Sequence, residues 1–123
     1  MGAFVGGGYD HRLKWQVPLG VSDELPEGKR QTGRPNIGGS ITTATGLTFV
    51  GASDDARFRA FATASGKLLW ETKLEAAAHA TPITYAGVNG RQFVAVTSTG
   101  GSFLDSPLAS DTITAFALPE KRP

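Results

Sequence analysis

Cysteine is absent from the 123 residues, so neither a disulfide framework nor a thiolate metal site can form. Histidine is scarce: His11 and His79 alone cannot build a three-histidine zinc centre. Charge is sparse as well, 19% of residues, and it nearly cancels to a formal +1. A nucleic-acid surface usually shows a basic stripe, so no nucleic-acid partner is expected. No apolar run approaches the roughly 18 residues of a membrane span. The opening MGAFVGGGYDHRLKW lacks the charged-then-apolar order of a signal peptide. Dinucleotide, nucleophile-elbow and zinc-protease motifs are missing. Gly66-Lys67 is followed by Leu68, which excludes a phosphate loop. Glycine and proline are plentiful instead, 16 and 7, in a chain that is 40% hydrophobic. That composition describes one turn-rich domain at most, with enough apolar residues for a core.

Short alternating runs separated by turn residues predict β structure. They lie at 13–17, 40–44, 47–51, 58–62, 68–73, 82–85, 92–97 and 112–117, which makes about eight strands. Thr45-Gly46, Ser65-Gly66-Lys67 and Asn89-Gly90 supply turns, the last with the positive φ of a tight hairpin. Pro119 ends the last run. Residues 75–79 (EAAAH) have the composition of one helical turn and no more. Two polar stretches, 20–39 and 98–111, read as long loops.

Trp15 and Trp70 stand 55 residues apart in similar surroundings, each followed four residues later by leucine. A repeat near that length, built of four short strands, is the pattern of a β-propeller blade. The division is then a tail and the outermost strand of a preceding blade (1–19), a long loop (20–39), a complete four-stranded blade (40–74), an incomplete three-stranded blade (75–118) and a tail (119–123). A closed ring needs about four blades or more. The chain is therefore expected to have open strand edges, where other blades or other copies would associate.

Residues 57–70, RFRAFATASGKLLW, resemble the tryptophan-docking motif of pyrroloquinoline quinone (PQQ) dehydrogenases, Ala-x-Asp-x-x-x-Gly-x-x-x-Trp. Ala60, Gly66 and Trp70 match, and Ala62 replaces the aspartate, which removes one hydrogen-bond anchor from the turn. The resemblance continues in order through Arg34-Pro35-Asn36-Ile37-Gly38-Gly39-Ser40, the stretch 43–52, His79-Ala80-Thr81-Pro82, the hairpin 89–94 and Phe116-Ala117-Leu118-Pro119. It covers about residues 12–119 and is similar to the C-terminal end of the membrane-bound glucose dehydrogenase branch of quinoproteins.

The resemblance implies an all-β fold: about two blades, one complete and two partial, of an eight-bladed propeller of the quinoprotein type. It implies PQQ near the propeller axis, with Ca²⁺ or Mg²⁺ polarising the quinone and a carboxylate taking the substrate proton. It places that carboxylate and the metal ligands in blades N-terminal to this segment, so no catalytic or metal-binding residue is assigned here. It also implies the periplasm.

The cofactor-wall candidates are Asn36, Gly38 and Gly39 in the loop entering an innermost strand, and Gly100 and Gly101 in the last cofactor-side loop with Ser102. Arg34, as a fork for a carboxylate or an anchor of its loop, and His79 complete the set. Gly100 stands where the glucose branch often has a histidine, a departure that bears on sugar specificity. Asp54-Asp55 reads as a solvated turn with Arg57 or Arg59 as partner; Trp15 and Trp70 read as structural, and Lys121-Arg122 as a solvated tail. The expected function is the C-terminal segment of a PQQ-dependent sugar or alcohol dehydrogenase, inactive alone. The alternative is a non-enzymatic propeller piece acting as an assembly or binding module.

Overall fold

The alternating runs pair into three antiparallel sheets in the computed structural model, which describes residues 3–7, 10, 12–101 and 106–118. Strand β1 (Ala3–Gly7) pairs with β2 (Leu13–Pro18). Strands β3 (Ser40–Thr42), β4 (Leu47–Val50), β5 (Arg57–Ala62) and β6 (Leu68–Lys73) form a four-stranded meander. Strands β7 (Ile83–Ala86), β8 (Gln92–Gly101) and β9 (Ser106–Ala117) form the third sheet. Ser102, His11 and the expected tail at 119–123 lie outside the described residues.

The middle sheet is covered on both faces. Phe61 and Val50 join Leu19 and Ala52, with Phe4 and Val17 of the first sheet packed against them. On the other face Phe58 meets Leu74, Ala78, Val94 and Val96, flanked by Ile41, Phe49 and Phe116. Double coverage explains why β5 is buried at every position from Phe58 to Phe61. Each aromatic buried there stabilises the stack by about 1.5–3 kcal/mol.

Three expectations change. Residues 3–7 are a strand, not tail; β1 is glycine-rich because Trp15 lies across Gly6, where a Cβ would overlap the indole. Residues 98–101 and 106–111 are strand and not loop: β8 and β9 stay paired there, and register shifts beside Gly100 and Gly101 absorb the irregularity. Residues 75–79 bend without a helical turn. The Asn89-Gly90 turn does carry the positive φ values, 64° and 71°.

Candidate functional site

The connector between β6 and β7 gathers most of the candidate residues. Ala76, Ala77 and Ala78 are buried, and their small side chains allow close approach from both sides. Gly51 lies against Ala78. The loop entering β3 comes down on the connector: Gly38 sits beside Ala80, and Gly39 lies so near Thr81 that a Cβ would overlap its hydroxyl. Half-buried His79 belongs to the same connector. The Gly100 amide donates to the Ala77 carbonyl at 3.0 Å. Gly38, Gly39, His79 and Gly100 thus converge on one connector, although 62 residues of chain separate the first from the last.

The candidates differ in what they present outward. Asn36 is exposed; its Nδ2 donates to the Arg34 carbonyl at 3.3 Å, which leaves its Oδ1 available. Gly38 is exposed at φ 140°, a conformation closed to most side chains, so the backbone there is bare. Among the described residues nothing lies where a side chain on Gly101, at φ 69°, would stand. Gly100 is buried with the Leu108 carbonyl against it, so no side chain fits at that position. Arg34 is turned away: its Nε and Nη2 donate to Asp54 at 2.8 and 3.1 Å, and its Nη1 donates to Glu24 at 3.1 Å.

A flat, acidic quinone cofactor needs a bare approach and polar edges. Asn36 with the strip at Gly38 fits one wall of such a site. The Arg34 fork is committed elsewhere: its Nε, Nη1 and Nη2 each already donate to a carboxylate of this chain, Asp54 or Glu24. An apolar groove of about 470 Å³ lies elsewhere; it is lined by residues such as Leu47, Phe49, Ala60, Trp70, Val94 and Phe116. Among the described residues no group of three or more histidine, aspartate or glutamate side chains is placed to hold a metal ion.

Asp54 and Asp55 are not a solvated turn. Their side chains are 7% and 2% exposed. Asp55 accepts from the Val21 amide at 2.9 Å and from the Ser53 hydroxyl at 2.6 Å, and it pairs with Arg59. Arg59 also donates to Glu71 at 2.8 Å, its register partner on β6. Burial pushes the Asp55 carboxyl up, but the bonds from Arg59 and Ser53 outweigh it and hold its pKa below the ordinary value. The expected partners, Arg57 and Arg59, serve Asp55; Asp54 instead takes Arg34, twenty residues upstream, which no local pattern announces.

The tryptophan junction is explicit at Trp15. Its indole lies between Gly6 and Gly66, and its Nε1 donates to the Thr63 carbonyl at 2.8 Å. The turn it rests on closes without the aspartate that Ala62 replaces. The Gly66 amide donates to the Ala62 carbonyl at 2.8 Å, the Ala62 amide to Lys67 at 2.8 Å, and the Thr63 hydroxyl bonds Thr48 at 2.7 Å.

Residues 9–94 match the family described as PQQ: glucose/ethanol/alcohol dehydrogenase, beta-propeller domain. The quinoprotein glucose dehydrogenase A of Acinetobacter calcoaceticus is 40% identical over 118 residues, which is 91% of this chain and 14% of that protein. The glycerol dehydrogenase large subunit of Gluconobacter thailandicus is 37% identical over 91% of this chain and 16% of its own length. Among solved structures, a europium-containing methanol dehydrogenase superposes with a TM-score of 0.61 at 30% identity, over 80% of this chain and 15% of that one. A quinohemoprotein alcohol dehydrogenase of Pseudomonas putida HK5 gives 0.63 at 25% identity, over 93% and 17%. The chain thus spans about one seventh of the length of such relatives. With a docked tryptophan between its sheets and a family match over most of its length, this chain belongs to the beta-propeller family of PQQ-dependent glucose, ethanol and alcohol dehydrogenases.

Proposed function

We propose that this chain forms the C-terminal blades of a PQQ-dependent dehydrogenase of sugars or alcohols and supplies one wall of the cofactor site, with Asn36 as its polar edge and Gly38 as its bare one. The observation that carries this is the convergence of the Asn36–Gly39 loop on the connector bearing His79. When bound, PQQ supplies the two-electron oxidation of an alcohol group. The chain's own residues would orient and flank it, while the Ca²⁺ or Mg²⁺ and the proton-accepting carboxylate come from other blades. The chain alone is then inactive, and the periplasm is its place of work.

The remaining blades are the partners proposed for its open surfaces. The free edge of β9 carries no charge from Thr112 to Ala117, and uncharged edges invite strand pairing. Ile83, Tyr85 and Ile113 are exposed on the third sheet. The same exposure favours the second reading, in which copies of the chain assemble through these edges.

A graft tests the first reading. Residues 12–118 would replace the matching segment of the Acinetobacter calcoaceticus enzyme, and PQQ-dependent dye reduction would be measured. Retained activity, with Asn36→Ala raising the PQQ requirement about tenfold, is the expected result, since a lost hydrogen bond to a charged group costs roughly 1.5–3 kcal/mol. A folded graft whose PQQ requirement ignores Asn36 overturns the wall assignment. Light scattering of the isolated chain separates the second reading: a discrete oligomer supports assembly, and a monomer at high concentration removes it.

A further inference from the structure

We propose that Arg34 and Asp54 form a clamp that positions the Asn36–Gly39 loop, making Arg34 a positioning residue and not a cofactor contact. The inference rests on the reading of that loop as a cofactor wall, but the clamp is visible without it.

The 20–39 segment leaves the first sheet and returns to the middle one, and the Asp54-Asp55 turn holds both of its limbs. The outgoing limb is held by Asp55, which takes the Val21 amide, and by Arg57, which donates to Asp23 at 3.1 Å. The returning limb is held by Asp54, which takes two parallel bonds from Arg34. Planar, bidentate geometry of this kind fixes direction as well as distance. The stem of Arg34 lies over Gly20, whose φ of 110° and missing side chain leave it room.

Backbone bonds flank the clamp. The Arg34 amide donates to Leu19 at 2.7 Å, the Asp54 amide to Pro35 at 3.1 Å and the Ile37 amide to Ala52 at 2.9 Å. An isolated bridge joins Asn36 to Ser53. Asn36 therefore sits between two points tied to the 52–54 segment, and the charged tie from its limb to that segment is Arg34–Asp54. The apex of the segment looks after itself: the Ser22 and Lys29 amides donate to Arg30 and Pro26, and Arg30 reaches the Leu25 carbonyl. It reaches the returning limb through the exposed Glu24, which accepts from the Arg34 Nη1 at 3.1 Å.

Amide hydrogen exchange on the 123-residue chain tests the clamp directly. In Arg34→Gln and in Asp54→Asn, exchange at Ile37 and Asp54 should accelerate about tenfold, while Val94 to Val96 keep their protection and certify the fold. The exchanged pair, Arg34→Asp with Asp54→Arg, should restore much of the protection, which a packing role would not predict. In the graft, Arg34→Gln should raise the PQQ requirement with kcat unchanged. Unchanged exchange at Ile37 and Asp54, with PQQ binding lost, would overturn the clamp and make Arg34 a direct contact. Faster exchange with an unchanged PQQ requirement would uphold the clamp and overturn the wall on which its functional meaning rests.

Discussion

The two junctions of this three-sheet stack use the same residue type and differ in completeness. At the first, Trp15 is enclosed: glycine on either side, an acceptor for its Nε1, and Phe4 and Phe61 at ring centroid distances of 5.6 and 6.5 Å. At the second, Trp70 packs edge-on against Phe58 and Phe116, at 5.9 and 5.1 Å, yet it is 37% exposed and borders the apolar groove. Its register partner Ala60 covers it from one side, as Gly6 covers Trp15. Among the described residues nothing plays the part of Gly66 or Thr63 on the other side. The lesson is that a tryptophan in this arrangement needs two walls and an acceptor. The aromatic contacts form with one wall alone; the polar bond and the deeper burial wait for the second.

Substitutions can break this comparison. Trp15→Ala should have the largest effect, about 3–5 kcal/mol of stability lost, because the ring leaves a cavity between two glycines that cannot collapse onto it. Urea unfolding followed by circular dichroism would measure it. Trp70→Ala should cost less, about 1–2 kcal/mol, since part of its surface already meets solvent. Equal losses at the two positions would mean that the second junction is as closed as the first. The same pair can be read by fluorescence: with Trp70 removed, the remaining emission of Trp15 should be the bluer and less easily quenched of the two.

Acid sharpens the comparison from beneath, because β5 serves both junctions and Asp55 holds its lower end. The folded Asp55 pKa lies below its ordinary value, so its contribution is fully present above the unfolded value of about 3.9. It is lost as pH falls from there through the folded pKa. Stability should be flat from neutral pH to about 5 and decline below about 4. Asp55→Asn should flatten the decline, measured as urea midpoint against pH, and this is the smallest of the expected effects.

Local patterns made the middle sheet legible. Alternation over residues 47–73 and the Gly46 and Gly66 turns, with φ of 91° and 73°, demand the observed hairpins. Strand β1 was hidden because AFVGG has no polar alternation, and its Gly6 answers to a tryptophan nine residues further on. The long β8–β9 hairpin was hidden because Gly100, Gly101 and Pro107 look like breakers, whereas the two glycines serve bulges. At the site, the bare backbone of Gly38 could be foreseen from composition. The engagement of Arg34 could not, because its partner is set by the return path of a 20-residue segment. Burial of Asp54 and Asp55 followed the same path: two adjacent acids look solvated until a loop folds over them.

Among the described residues every strand pairs only with the strand before or after it in the chain. No pairing has to wait for a distant segment, so the entropy spent on closing each loop is small. Hairpins of this kind form in roughly 1–10 μs. Each sheet can therefore be complete before the next has left the ribosome, and synthesis from the N-terminus lays the sheets down one on another in the order in which they stack.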